Sequence, residues 1–318
     1  MKSNLTIFGT GALASIFAAR LSSVAGVNLS LFGSWRQQVN ALQTAPLKVT
    51  NVDGSCSLHE IRATNQIYDL PPIDIAIVLV KSFQTRTAAR RISEVLKPEG
   101  IALTLQNGLG NVEILEKQLG HNRVLGGVTN AGATMLCPGH VKHTAEGVIY
   151  IAGKSKMQAD MFNLIQVLDK ADFRSEISES AESIIWGKLV LNAGINPMTA
   201  LLEVKNGELV ENPLYLHVLE KIVDEAEAVA NAQGIELPYS NGKEEIVRVC
   251  KMTATNCSSM FQDILRKSQT EIEFINGAIC KIGEKYGLDM TLNRFLVEKI
   301  KQKEIGIKFN EAELENLI

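Results

Sequence analysis

Leu5-Thr6-Ile7-Phe8-Gly9-Thr10-Gly11-Ala12-Leu13-Ala14 decides how the first half of this 318-residue chain folds. A short apolar run of β character stops on two glycines and passes straight into a helical one. The first glycine permits the tight turn, the second lets a pyrophosphate approach the backbone, and the small Ala14 lets helix and strand pack closely. The unpaired amides at the helix start then face the phosphates. Gly9, Thr10, Gly11, Ala12, Leu13 and Ala14 are therefore expected to line a dinucleotide site.

The segments that follow supply the context such a loop requires. Helical spacing over Leu13 to Leu21 is succeeded by strand-like runs at Val27 to Phe32, Ile73 to Val80 and Ile101 to Gln106. Alternation of this kind predicts a parallel sheet covered by helices, an α/β Rossmann-like dinucleotide-binding domain. Ile73-Asp74-Ile75-Ala76-Ile77-Val78-Leu79-Val80 is nearly all apolar and β-branched, as a strand buried on both faces must be. From Val124 to Gly153 the pattern becomes rich in Gly, Thr and Val around a Pro138-Gly139 turn, which predicts antiparallel strands on the sheet edge. A helix over Ser155 to Leu168 and one more strand within Ala171 to Ile177 complete this half. Beyond about residue 180 strand signals almost vanish, so the chain divides into 1–179, the dinucleotide-binding domain, and 180–318, an all-α second domain.

The end of the second strand distinguishes the two nicotinamide cofactors. An Asp or Glu there would hold the ribose 2′-hydroxyl of NAD, but Leu31-Phe32-Gly33-Ser34-Trp35-Arg36 carries no carboxylate. A hydroxyl at Ser34 and a guanidinium at Arg36 suit a 2′-phosphate, which favours NADP(H). Lys81 and Gln84 follow the buried strand, at the carboxyl edge where such sheets bind ligands. Gln106-Asn107-Gly108 ends the next strand in the same way.

Trp186-Gly187-Lys188-Leu189-Val190-Leu191-Asn192-Ala193-Gly194-Ile195-Asn196-Pro197 opens the helical half. At about 100° per residue, Lys188, Asn192 and Asn196 fall within about 80° of arc and share one face of a helix that is otherwise apolar. Such a helix is buried, and a buried lysine flanked by neutral amides implies a small polar cavity that takes a ligand. The helix is expected to form one wall of a cleft between the domains. Asn206-Gly207-Glu208-Leu209 reads as a turn and a helix start. Cys257-Ser258-Ser259-Met260-Phe261-Gln262 starts another helix, with Ser259 and Gln262 at capping-box spacing and Asn256 beside them, a combination able to hold a carboxylate. In an unbroken helix Glu271 would lie about 18 Å from Ser259 along the axis, too far to share one small group.

Composition narrows the class of partner. Lys and Arg total 32 against 35 Asp and Glu, a net charge of −3 that offers no field for nucleic acid or anionic lipid. Five cysteines, an odd number without C-x-x-C spacing, argue against a disulfide framework and against zinc. His140 and His143 flank a turn without other ligands nearby, so no metal is expected. With no signal-peptide core and no run of membrane-spanning length, a cytoplasmic protein is expected.

Taken together, the glycine loop, Gln106-Asn107-Gly108, Pro138-Gly139, Trp186 to Pro197, Asn206-Gly207, Ser258-Ser259-Met260, Thr270-Glu271-Ile272 and Ile275-Asn276-Gly277 resemble the ketopantoate reductase (2-dehydropantoate 2-reductase) family along nearly the whole chain. The resemblance implies transfer of hydride from NADPH to the C2 ketone of ketopantoate, giving pantoate for pantothenate and coenzyme A synthesis. It implies that Lys188 is the general acid and that Asn192, Asn196, Asn206, Asn256 and Ser259 line the substrate pocket, Ser259 and Asn256 near the carboxylate. Asn107 would touch cofactor and substrate, Glu271 would contact the nicotinamide-side ribose and help close the cleft, and Lys81 with the Ser34 to Arg36 loop would take the 2′-phosphate. Two departures stand out: Ala14 replaces the third glycine, and Gly33-Ser34-Trp35 precede an arginine that many members carry directly after the strand. A related reductase of another 2-keto acid and a non-catalytic NADP-binding regulatory protein are the competing readings. A homodimer is compatible with the helical half.

Overall fold

The computed structural model describes residues 3–315. They form two compact units, one of residues 3–106 with Gly110–Ala181, the other of Asn107–Leu109 with residues 182–315.

In chain order the first unit contains β1 (Ser3–Phe8), α1 (Ala12–Leu21), β2 (Val27–Phe32), α2 (Arg36–Thr44), β3 (Leu47–Thr50), β4 (Cys56–His59), β5 (Ala63–Thr64) and β6 (Ile73–Val78). It continues with α3 (Thr85–Val95), β7 (Leu96–Thr104), α4 (Asn111–Leu119), β8 (Val124–Thr129), β9 (Gly132–Cys137), β10 (His140–Ala145), β11 (Val148–Ala152), α5 (Gln158–Asp169) and β12 (Arg174–Ile177). Eight strands form the main sheet in the order β12-β11-β8-β7-β6-β1-β2-β5. From β5 to β8 every pairing is parallel. Numbered within that parallel set, the order is third, second, first, fourth, fifth, sixth, that of dinucleotide-binding sheets, with the chain reversing direction beside β1.

Both faces of the central strands β1, β6 and β7 are covered, which explains the nearly continuous apolar runs. Leu5 and Ile7 of β1, Ile77 of β6 and Leu103 of β7 point into a core shared with α1 and α5. Phe8, Ala76, Val78 and Ala102, one residue out of step, point into a second core with α3 and α4. Strand side chains alternate faces, so a covering layer on each side demands apolar residues at nearly every position.

The segment from Val124 to Gly153 departs from the sequence expectation. Only β8 and β11 join the edge of the main sheet, β11 antiparallel to β8. β9 and β10 leave it and, with β3 and β4, form a separate sheet in the order β4-β3-β10-β9. The physical reason is a single apolar face: Leu47, Val49, Met135 and Val141 are buried, while the alternate Lys48 and Lys142 are exposed. That face packs on α1, which would otherwise leave apolar surface in water.

The second unit is helical: α6 (Ala181–Leu202), α7 (Glu208–Glu211), α8 (Pro213–Ala232), α9 (Gly242–Met252), α10 (Ser259–Leu265), α11 (Asn276–Lys285), α12 (Thr291–Glu304) and α13 (Ala312–Glu315). Its axis of organisation is α6, whose Leu189, Val190, Ala193, Met198 and Leu201 are all buried. Each large apolar side chain so buried contributes about 1.5–3 kcal/mol. Gly187 and Gly194, two turns apart, form a second stripe on α6. A Cβ at Gly187 would lie 2.5 Å from Pro238 Cγ, and one at Gly194 2.7 Å from Leu219 Cδ1, so these glycines let neighbouring segments approach the helix. Tyr239 Oη fixes the approach by donating to the Gly187 carbonyl at 3.0 Å.

Candidate active site

In the first unit, three loops at the carboxyl ends of β1, β2 and β6 meet at the glycine loop. Gly9 has φ +136°, and a Cβ there would lie 2.6 Å from the Leu79 carbonyl oxygen, just past β6. Gly33, just past β2, leaves room for Thr10: a Cβ on it would lie 2.6 Å from Thr10 Cγ2. The loop is thus seated on its two neighbours because both contacts need glycine. Gly11 is different. It is exposed, its φ is −76°, and a Cβ there would meet nothing within 4 Å. The space in front of the α1 amino terminus is open, and the chain keeps it open without any need of its own. That cradle, with its row of helix-start amides, fits the pyrophosphate of a dinucleotide.

The same convergence brings the expected 2′-phosphate ligands to adjoining loops. Ser34 follows Gly33 and is exposed, as is Arg36, the first residue of α2. Lys81 follows the strand end that Gly9 touches, and its backbone amide donates to Gln84 Oε1 at 3.3 Å. Gln84 thereby holds the short turn over Ser82–Gln84 in shape. Gly33 is the residue that sequence reasoning omitted from this set; a glycine directly after the second strand was the available signal. Gln106 ties the β7 end to the same region, donating Nε2 to the Val80 carbonyl and to Thr85 Oγ1, both at 2.8 Å.

In the second unit, α6 carries Lys188, Asn192 and Asn196 at the spacing read from the sequence. Lys188 is half-buried and Asn196 buried. Burial pushes the Lys188 ammonium down to about 8, and the Glu271 carboxylate partly opposes that shift. Glu271 is itself only 5% exposed, so the pair stands in a weakly screened environment. A lysine with such a pKa remains mostly protonated near neutrality yet gives up its proton readily.

Glu271 reaches this position because α10 is short, and here the unbroken helix expected from Ser259 to Glu271 is corrected. The helix ends at Leu265, Lys267 adopts φ 53°, and the Asp263 carbonyl collects the amides of Arg266 and Ser268 at 3.1 and 2.9 Å. The estimated separation of 18 Å therefore does not apply. Glu271 sits instead in a tight turn, its carbonyl accepting from Phe274 and Ile275 at 2.9 and 3.1 Å. Asn107 is anchored three residues from it. Gly108, with φ +82°, lies so close to Phe274 that a Cβ would be 2.6 Å from its carbonyl oxygen, and Leu109 donates its amide to that oxygen at 2.9 Å.

The capping residue of α10 is also corrected. Ser258, not Ser259, is the N-cap, accepting from the Phe261 amide at 3.1 Å, while Gln262 Nε2 donates to the Cys257 carbonyl at 3.1 Å. Ser259 is left exposed at the first helical position. Ser258 Oγ also receives the Thr199 hydroxyl at 2.7 Å, tying the start of α10 to α6. Asn206 and Asn256 are joined through their backbones, the Asn206 amide donating to the Asn256 carbonyl at 3.1 Å. Asn206 Nδ2 donates to Thr253 Oγ1 at 2.9 Å, whereas its buried Oδ1 has no hydrogen-bond partner.

A surface hollow of about 450 Å³ elsewhere in this unit is lined by Glu208 and Glu211 with Val204, Asn212, Pro213 and Tyr215. Two carboxylates and no cation make it unsuitable for an anion. Among the described residues no cluster of three or more His, Cys, Asp or Glu side chains could hold a metal, and no helix is long and apolar enough to cross a membrane. His140 Nε2 lies 2.9 Å from Thr50 Oγ1, and His143 is buried 3.5 Å from Glu146.

Sequence relatives and solved structures match most of the chain. Residues 5–155 match the family model described as ketopantoate reductase PanE/ApbA, and residues 180–304 match the one described as its C-terminal part. A 2-dehydropantoate 2-reductase of Archaeoglobus fulgidus is 39% identical, covering 95% of this chain and 98% of that protein. One from Vibrio cholerae is 30% identical, covering 95% and 98%. Among solved structures, a D-mandelate dehydrogenase with NADH and anilino(oxo)acetate superposes with a TM-score of 0.89 at 25% identity, covering 96% of this chain and 99% of that one. A PanE/ApbA family ketopantoate reductase from Ralstonia eutropha JMP134 gives 0.86 at 27% identity, covering 95% and 98%. A glycine-loop unit followed by a helical unit built on a lysine helix, matched by both family models in that order, makes this chain a member of the PanE/ApbA ketopantoate reductase family.

Proposed function

We propose that this chain reduces 2-dehydropantoate to pantoate with NADPH, in the cytoplasm. The observation that carries the proposal is the Lys188 ammonium, lowered by burial to about 8 and facing the charge of Glu271 on a helix that also presents two amides. The reduced nicotinamide, when bound, supplies the hydride that adds to C2 of the keto acid.

The protein's own residues do the rest. Hydride addition turns the carbonyl oxygen into an alkoxide, and Lys188 Nζ gives it a proton, leaving a hydroxyl on the product and a neutral amine to be recharged from water. A positioned acid of this kind is worth about 10²–10⁴-fold. Before transfer, the ammonium polarises the same oxygen. Glu271 keeps Lys188 protonated and contacts the cofactor's nicotinamide-side ribose. Asn192, Asn196, Asn206 and Asn107 line the pocket for the hydroxylated tail, Asn107 also touching the cofactor, and Asn256 and Ser259 take the carboxylate. Asn206 Oδ1, buried without a partner, suits a substrate hydroxyl. Gly9 to Ala14 receive the pyrophosphate, and Ser34, Arg36 and Lys81 the 2′-phosphate, with Gln84 bracing the Lys81 loop. The absence of a carboxylate between Asn28 and Gln38 supports NADPH over NADH.

A second reading, reduction of another 2-keto acid, draws on the likeness to D-mandelate dehydrogenase, a protein solved with NADH. Following NADPH and NADH absorbance with ketopantoate, ketoisovalerate, phenylglyoxylate and pyruvate separates the two. The highest kcat/KM is expected for NADPH with ketopantoate. A clear preference for another acid overturns the substrate, and no turnover with any of them overturns the enzyme.

A further inference from the structure

Pro197 interrupts the hydrogen-bond ladder of α6 at the turn that carries the two asparagines. Proline has no N–H, so the carbonyl four residues earlier, that of Ala193, is deprived of its helical partner. Ala193 lies between Asn192 and Asn196. The spacing of their amides therefore depends on how this opened turn is held.

Asn276, the first residue of α11, holds it from outside the helix. Fully buried, it donates Nδ2 to the Ala193 carbonyl oxygen at 2.8 Å. Its Nδ2 also donates to Asn293 Oδ1 at 3.0 Å, and Asn293 Nδ2 donates in turn to Glu225 Oε2 at 2.8 Å. The Glu225 carboxylate further accepts the Leu292 and Asn293 amides at 2.8 and 2.9 Å, at the start of α12.

The direction of this chain follows from its last member. A carboxylate only accepts, so the NH₂ of Asn293 must face Glu225 and its oxygen must face Asn276. Asn276 can then offer only donors to Asn293 and Ala193. Its own Oδ1 is left buried with no hydrogen-bond partner. An unmet buried acceptor is costly, so an amide selected for stability alone is a poor choice at this place. The two donations it makes are what the position requires.

We infer that Asn276 is a positioning residue for the substrate face: it supplies the hydrogen bond that Pro197 withholds and so fixes the turn that presents Asn192 and Asn196 to the keto acid. The inference rests on the reduction proposed above. Lys188 lies a full turn before the opening, so the proton donor is less exposed to its loss than the two amides are.

The test is steady-state kinetics of Asn276→Leu, Pro197→Ala and the double variant, with both KM values and kcat measured. In Asn276→Leu the KM for ketopantoate is expected to rise about tenfold or more, as loss of a hydrogen bond to a buried group would cause. The KM for NADPH stays within about twofold and kcat falls less than the keto-acid KM rises. Pro197→Ala restores an N–H to the Ala193 carbonyl, so the double variant is expected to regain most of the lost affinity. A purely structural role would lower thermal stability and leave the KM of the folded fraction unchanged. An unchanged keto-acid KM in Asn276→Leu overturns the inference, as does a raised one that Pro197→Ala leaves unrelieved. Should Asn276→Leu fail to fold, Asn276→Ser with and without Pro197→Ala decides by the same criteria. A wild type inert toward every 2-keto acid overturns the reduction and this inference together; a turning-over wild type with an indifferent Asn276 overturns only the inference.

Discussion

In the proposed reaction the glycine loop after β1 and the lysine helix α6 would both receive negative charge, and they would do it by opposite means. At the loop, side chains are removed so that backbone amides can be approached; on α6, side chains are added to a helix that would be simpler to bury without them. The loop therefore tolerates no bulk, while the helix tolerates no change of chemistry. A mutation that preserves volume should spare the first and ruin the second.

Lys188→Ala gives the sharpest contrast. It is expected to lower kcat by about 10²–10⁴-fold while NADPH still binds, measured by stopped-flow turnover alongside fluorescence titration of the cofactor. Cofactor binding lost in parallel with kcat would break the distinction between the two regions.

Within the loop, two glycines separate structure from function. Gly9→Ala meets a carbonyl oxygen at 2.6 Å from a φ of +136°, so it is expected to lower the melting temperature by several degrees. Gly11→Val meets no protein atom at its Cβ and keeps an ordinary φ, so its melting temperature should stay near that of the wild type. Its Kd for NADPH should nonetheless weaken by about 10–100-fold, because the added bulk enters the space kept for the pyrophosphate. Calorimetry and cofactor titration on both variants check the pair; equal stability losses would remove the case for a cofactor cradle.

Arg36→Ala is expected to act more weakly, since the side chain is exposed. It should raise the KM for NADPH about tenfold and leave that for NADH unchanged, the mark of a 2′-phosphate contact. Similar effects on both cofactors would assign the phosphate to Ser34 and Lys81 instead.

These regions were also unequally legible. Lys188, Asn192 and Asn196 could be aligned from spacing because a helix has one period, and the β1 loop because its glycines sit at a strand-to-helix junction. The separate sheet of β3, β4, β9 and β10 could not, since its strands are four to six residues long and pair with β10 more than 80 residues from β3. The break after Leu265 was hidden for another reason: Arg266, Lys267 and Ser268 contain no glycine or proline, and the turn is made by Lys267 adopting φ 53°. Without that turn Glu271 cannot be referred to Lys188. The partner of the Ala193 carbonyl was equally invisible, because Asn276 is 83 residues away and only tertiary packing brings it there.

In the proposed reaction Lys188 is a proton donor whose acidity is set by burial and by Glu271. The most direct measurement is the pH dependence of kcat/KM for the keto acid, which reports groups of the free enzyme. Activity is predicted to fall as pH rises through about 8, where Lys188 loses its proton, and in Glu271→Gln that alkaline limb should move to lower pH because the carboxylate holding the ammonium up is gone. A profile that stays level to pH 10, or a limb that Glu271→Gln leaves in place, would contradict it.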